Sequence, residues 1–293
     1  MIFSIESIVL KLEKSKLVNW LFSKADGFLP SKRYTIIIQG MIFEARSLDR
    51  YFALLLWKYS LWEGFEQEVI RRIVKPGMFV ADIGANIGLY TISCAKFAGP
   101  TGKVYSFEPS PREFIVLEST VKQNNLKNVS LYKFALGSKT SHGQLLLNTV
   151  NRGDNRITKH SSHANVPVKI CSLDIVLFRN KRLDVVKIDV QGYECEVLRG
   201  MKKLIKTNNT MIIIAECSKE LLAAAGASVE EFLSIIHLYN FELYIIDGQK
   251  RRVRFATDKE IIAESLTGRH INVLLANRNS RTLLREHLPF LIL

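Results

Sequence analysis

The sequence predicts an α/β fold in which a largely parallel sheet is covered by helices on both faces. Three observations carry this. Residues 78–90, Met-Phe-Val-Ala-Asp-Ile-Gly-Ala-Asn-Ile-Gly-Leu-Tyr, read as a buried strand, a glycine turn and the start of a helix. An acid, Glu108, ends the next strand-like run, Val104 to Phe107. From residue 78 onward, apolar runs and helical periodicities alternate with short connections.

The chain falls into an N-terminal extension (1–58), a main domain (59–277) and a tail (278–293). Residues 1–24 place Ile2, Ile5, Val9, Leu12, Trp20 and Leu21 on one side and lysines on the other. That is an amphipathic helix, packed on its own domain or lying on an anionic membrane surface. Asp26-Gly27 and Pro30-Ser31 break it. Tyr34 to Ile38 and Met41 to Phe43 flank Gln39-Gly40 as a short hairpin. Residues 51–74 read as helical up to the Pro76-Gly77 stop; a helix over Leu61 to Ile73, which includes Trp62, Glu63, Gly64, Phe65 and Glu66, would lie beside the glycine turn and help close a ligand site.

The first strand covers Phe79 to Ile83, and the helix from Leu89 to Ala98 closes at Gly99-Pro100. After Glu108, Ser110-Pro111-Arg112-Glu113 reads as a capping box, with Phe114, Leu117 and Val121 as the buried stripe. Val129 to Ala135 is the third strand, Leu183 to Val190 the fourth and Met211 to Cys217 the fifth. Ser228 and Glu231 read as a second capping box. Phe241 to Ile246 and Ile271 to Ala276 are the sixth and seventh strands, joined by a basic, polar loop.

The interval 137–182 is too long for a plain connection. It contains strand-like Gln144 to Leu147 and Val166 to Ile170, a β insertion around the polar loop 151–156, where specificity would be sought. The tail, basic and then apolar, reads as a docking segment or a membrane contact.

Composition is that of a folded protein: 293 residues, 47% hydrophobic and 24% charged. The net charge of +13 favours anionic partners, or reflects scattered surface lysines. Cys94, Cys171, Cys195 and Cys217 have no CxxC spacing and read as reduced core thiols in a cytoplasmic protein. No apolar run approaches the length of a membrane span, and Lys11, Lys14 and Lys16 follow the N-terminal apolar run instead of preceding it as in a signal peptide.

The turn has a physical reading of its own. Gly84 lets the backbone bend and approach a ligand closely. Asn86 tolerates left-handed backbone where glycine is usual. The helix behind it presents its N-terminus to a negative group, and Glu108 is placed to accept both hydroxyls of a ribose.

At this point the sequence resembles the FkbM family of methyltransferases. The resemblance rests on Val80-Ala-Asp-Ile-Gly-Ala-Asn-Ile-Gly88, Phe107-Glu-Pro-Ser110, Val186-Lys-Ile-Asp-Val-Gln-Gly-Tyr-Glu194, Leu198-Arg-Gly200 and Glu216, spread over roughly residues 60–277. It implies a Rossmann-like seven-stranded sheet, S-adenosyl-L-methionine as cofactor, and methylation of a hydroxyl on a sugar, glycan or secondary metabolite. By the same resemblance Asp82, Gly84, Ala85, Asn86 and Gly88 would lie along the methionine and ribose, Glu108 on the ribose hydroxyls, and Ala135 and Leu136 beside the adenine. One departure is Gln191, where many relatives carry Glu. That removes one base and leaves Asp189 and Glu194.

Methyl transfer is an in-line displacement in which positioning dominates, but an alcohol acceptor also has to lose its proton. Asp189, at the end of the fourth strand, is the expected base or acceptor-orienting group; otherwise it caps the next helix. Glu194 falls in that helix's first turn, where it acts in catalysis or as a cap. Glu216 reaches the same cleft or pairs with a basic residue. No tight cluster of acids with an asparagine marks a metal site, and His160 and His163 read as solvated.

Competing readings have distinct signatures. Base methylation in nucleic acid would favour Asn/Asp-Pro-Pro-aromatic where this chain has Asp189-Val-Gln-Gly192. A NAD-dependent dehydrogenase would need a Lys/Tyr or His constellation that the chain lacks. A membrane-peripheral or complex-forming protein would retain the fold without turnover.

Overall fold

A computed structural model describes residues 33–38, 41–46, 64–148, 153–158, 165–178, 182–288 and 290–292. The helix expected over 1–24, the first part of that expected over 51–74, and His160 and His163 lie outside the described residues.

β1 (Arg33–Ile38) and β2 (Met41–Arg46) form the expected antiparallel hairpin. Helix α1 (Gly64–Ile73) leads into β3 (Phe79–Ile83), α2 (Leu89–Ala98), β4 (Lys103–Phe107), α3 (Pro111–Gln123) and β5 (Val129–Tyr132). Asn124, just past α3, holds the hairpin to the body of the fold. Its Nδ2 donates to the Ile42 carbonyl at 2.6 Å and its Oδ1 accepts from the Ile42 N–H at 3.0 Å. Then follow β6 (Ala135–Leu136), β7 (Ser141–Leu146), β8 (Arg156–Thr158), β9 (Asn165–Cys171), α4 (Leu173–Val176), β10 (Val185–Ile188), α5 (Glu194–Arg199), α6 (Lys202–Thr207) and β11 (Ile212–Cys217). The chain closes with α7 (Lys219–Ala224), α8 (Val229–Leu238), β12 (Glu242–Asp247), β13 (Arg252–Phe255), α9 (Asp258–Ser265), β14 (Ile271–Ala276), α10 (Arg281–His287) and β15 (Leu291–Ile292).

The main sheet has nine strands in the order β15-β13-β12-β14-β11-β10-β3-β4-β5. All seven expected strands are in it. β5, β4, β3, β10 and β11 run parallel, and β14 runs antiparallel to its neighbours β11 and β12. Alternation sorts the side chains. Val80, Val104, Val185, Ile212 and Leu274 face α1, α2 and α10, whereas Ala81, Val186, Ile213 and Leu275 face the helices α5, α6, α8 and α9. Both faces are buried, so the central strands read as unbroken apolar runs.

Four expectations are corrected. The third strand stops at Tyr132. Because β5 is the sheet's edge, Ala135 and Leu136 bury themselves by pairing with Ile170 and Cys171 of β9, in a four-stranded second sheet of order β6-β9-β7-β8 built by the insertion. The connection read as a loop between the last two strands holds β13 and α9. Val253 points into the core, while Arg254 is matched by Glu260 and Glu264 and Arg252 by Asp247. Its arginines disguise an alternating strand, second from the edge of the sheet.

At Ser110 no capping box forms with the backbone, since the hydroxyl bonds the Glu113 carboxylate directly; Ser228 keeps half of one, accepting from the Glu231 N–H, while Glu231's carboxylate takes Arg199. The full box in this region is Thr257 with Glu260, at the start of α9. Finally, the segment expected as a tail folds back on the chain itself. β15 pairs with β13, Leu284 and Leu288 are buried, and the Phe290 ring lies 4.8 Å from that of Phe65. All four cysteines are free and buried.

Candidate active site

The site lies at the carboxyl ends of β3, β10 and β11. Gly84, Asn86 and Gly88 all have left-handed backbone, with φ of 83°, 51° and 96°. The Phe107 carbonyl accepts from the Gly84 and Ala85 N–H groups, each at 3.0 Å, which folds the turn over the end of β4. Gly88 is the N-cap of α2 and carries no side chain to cap it, so the helix's N-terminal amides stay open to an anionic group. Asn86 is left-handed as its residue type allows. Gly84 has a second reason to be glycine, because a Cβ there would meet the Asp189 carbonyl oxygen at 1.9 Å.

Asp82 is 1% exposed and turns toward α2, where the Thr91 hydroxyl donates to its Oδ2 at 2.5 Å. The Ser106 hydroxyl lies 2.9 Å from that of Thr91. Burial pushes the Asp82 carboxyl up to about 6, against the opposing pull of Thr91 and of the Lys187 ammonium.

Glu108 is buried beneath the turn. Its Oε2 accepts from the Asn86 N–H and its Oε1 from the Ser110 N–H, both at 2.8 Å. Burial pushes this carboxyl up to about 8, with the two backbone donors acting the other way. Each oxygen retains a lone pair for a further hydroxyl, so the pair fits a ribose diol. The carboxylate thus ties the glycine turn to the start of α3 and remains able to take a diol.

Asp189 follows β10, and its own N–H donates to the Ile83 carbonyl at 2.9 Å, fixing it against the end of β3. Its side chain is 38% exposed. It does not cap α5. Glu194, in the first turn of α5, is buried and accepts instead from the N–H groups of Gly192 at 3.2 Å and Val190 at 3.3 Å, both ahead of the helix, whose N-cap has no side-chain hydrogen bond. Burial pushes Glu194 up to about 8, and the charges of Glu216 and Asp189 add to the effect.

Gln191 joins the acids. Its Nε2 donates to Asp189 Oδ1 at 2.8 Å and to Glu216 Oε2 at 3.1 Å. A glutamate at 191 would instead put a third carboxylate between two. Glu216 also meets His270, whose Nδ1 lies 2.7 Å from Oε1. Both roles expected of Glu216, reaching the cleft and pairing with a basic residue, are therefore present together.

Ala135 and Leu136 are 6% and 2% exposed and belong to the second sheet. The aromatic cluster of Phe107, Tyr132 and Phe134 leads up to them, with the Phe107 and Tyr132 rings stacked at 4.8 Å. Among the described residues no group of three or more His, Cys, Asp or Glu is arranged to hold a metal ion.

The sequence reading assigned no role to Lys187 or Asn272. Lys187 is buried in β10 beside Asp82, its register partner on β3, and contacts Glu66 of α1. A lysine within the apolar run Val185-Val186-Lys187-Ile188 was the available signal. Asn272 donates to Glu66 at 2.8 Å. Glu66, on the helix expected beside the turn, meets Lys187 of β10 and Asn272 of β14.

A family model, the methyltransferase FkbM domain, matches residues 82–243. The chain belongs to the FkbM methyltransferase family. The family was therefore read correctly from the motifs, and its enzymes' cofactor, S-adenosyl-L-methionine, stands with it. A hexuronic acid methyltransferase, AglP, from Haloferax volcanii is 26% identical over 163 residues, covering 54% of this chain and 65% of its own length. Methyltransferase 1 of Beauveria bassiana is 26% identical over 145 residues, covering 42% of this chain and 58% of its own. The chain thus spans under two thirds of the length of these relatives. The crystal structure of a methyltransferase FkbM from Methylobacillus flagellatus is 12% identical, with a TM-score of 0.43, covering 68% of this chain and 43% of that one. Among the described residues no helix is long and apolar enough to cross a membrane.

Proposed function

We propose that this chain transfers a methyl group from S-adenosyl-L-methionine to a hydroxyl of a sugar or glycan. One observation carries the reading. A half-exposed carboxylate, Asp189, is locked by its own backbone against the glycine turn at the open end of the sheet. The hexuronic acid named for the Haloferax relative supports a sugar as acceptor class.

Bound cofactor would supply a methyl group already activated by its sulfonium. The chain's residues do the rest. The uncapped amides of α2 receive the methionine carboxylate, Glu108 accepts from the ribose hydroxyls, and Ala135 and Leu136 border the adenine. Asp189 Oδ takes the acceptor hydroxyl's proton, freeing that oxygen for the methyl group that bound cofactor would supply. Gln191 orients that carboxylate from the Glu216 side. Glu194, neutralised by burial and spent on the 190–192 turn, shapes the site from below and leaves the base role to Asp189.

The test is a calorimetric titration with S-adenosyl-L-methionine and, separately, NAD, followed by transfer of labelled methyl to glucuronic acid and to neutral sugars. Binding of S-adenosyl-L-methionine alone and label in an alkali-stable ether are expected. Label in an alkali-labile ester would move the acceptor to a carboxylate. Absence of cofactor binding would overturn the reading.

A further inference from the structure

Lys187 sits where a charge is costly. It is inside a parallel strand of a sheet covered on both faces, and its side chain is 4% exposed. Its Nζ lies 3.2 Å from Glu66 Oε1 and 3.6 Å from Asp189 Oδ2, over the face of the Tyr90 ring at 5.2 Å. Glu66 is 5% exposed and is itself held by the Asn272 amide. The chain therefore runs from Asn272 through Glu66 and Lys187 to the half-exposed Asp189. Glu66 and Asn272 both lie outside residues 82–243, the span that the family model matches.

A pair that served stability alone would have no need of a third member open to the cleft. We propose that Lys187, anchored by Glu66, is a positioning residue that holds Asp189 ionised and aimed at the acceptor. This rests on the reading of Asp189 as the proton-accepting group. The groups around Asp189 explain why a cation is needed. Asp82 from β3 and Glu216 from β11 favour its protonation, Glu216 being joined to it through Gln191, while Glu194 from α5 is neutralised by burial and adds no charge. Lys187 opposes them from β10 itself, while Glu66 of α1 restrains the ammonium from behind and Tyr90 of α2 lies under it. His270 reaches Asp189 through Glu216 and Gln191. Helix α1 is in this view part of the site.

The experiment follows the Asp189 carboxyl by carbon NMR across pH in the full chain, its resonance identified by its loss in Asp189→Asn. The variants are Lys187→Met, Glu66→Gln and the two combined. The double variant removes both buried charges together, and it decides the matter where Lys187→Met alone does not fold. The Asp189 midpoint is expected to rise by about one pH unit in the variants lacking Lys187, since a cation at this distance holds a carboxylate down by that order. The acid limb of kcat should move with it, and S-adenosyl-L-methionine affinity should not change. Glu66→Gln alone keeps the cation and should not raise the midpoint. A folded double variant with an unmoved Asp189 midpoint overturns the proposal. Failure of the methyl-transfer reading would look different: the wild type would methylate no sugar, while the Asp189 midpoint would still report on Lys187.

Discussion

The backbone carbonyl of Asp189 occupies the space that a side chain on Gly84 would need, 1.9 Å from the position of a Cβ. The cofactor turn and the acceptor-side acid are thus packed backbone to backbone, and neither can shift without the other. Position 84 also has φ of 83°, which L side chains rarely adopt. Gly84→Ala should therefore lower stability by about 3 kcal/mol, combining backbone strain and overpacking. Urea unfolding measures this, and a wild-type midpoint would show that β3 and β10 can separate at this end.

That contact also shows what could be read from the chain. β3, its turn and α2 were legible because an apolar run, left-handed-tolerant residues and helical periodicity coincide over 78–98. The glycine at 84 was legible as a close approach to a ligand; its approach to Asp189, 105 positions later by subtraction, was not, since no local pattern encodes which strand lies alongside. Lys187 was obscured for the opposite reason. Charge in a sequence reads as solvent, and its burial depends on Glu66, which is distant in the chain. The same holds for β13, where Arg252 and Arg254 mask a strand until Asp247, Glu260 and Glu264 are seen to face them.

Glu108→Ala should weaken S-adenosyl-L-methionine binding roughly tenfold to a hundredfold. The ribose hydroxyls would lose an acceptor, and the N–H groups of Asn86 and Ser110 would lose theirs. Calorimetry on the folded variant tests it. Unchanged affinity would remove Glu108 from the cofactor site and leave it as a brace for the turn.

Asp189→Asn preserves shape and the backbone bond to Ile83 but removes the proton acceptor. Cofactor affinity should stay at the wild-type value, while kcat falls about a hundredfold or more, the usual span for a lost general base. Single-turnover methyl transfer separates this from slow product release. Wild-type turnover would show that the acceptor's proton leaves by another route.

Glu194 gives a prediction on stability. Its folded value is raised to about 8 from an ordinary 4.5, chiefly by burial. A carboxyl raised on folding contributes stability that is complete below its unfolded value and is lost as pH climbs through its folded one. Between about pH 5 and about pH 8 the chain should therefore become less stable as pH rises, with Glu108, also raised to about 8, adding to the slope. The lowered acids Glu68, Glu230 and Glu260 act in the opposite sense, but lose their contribution only as pH falls below about 4.5, outside this window. Glu194→Gln keeps an acceptor for the Gly192 and Val190 N–H groups and cannot ionise. Urea midpoints taken across the window should then fall less steeply with pH in Glu194→Gln than in the wild type. Parallel slopes would mean that Glu194 is already ionised in the folded chain, with the two backbone N–H groups outweighing its burial.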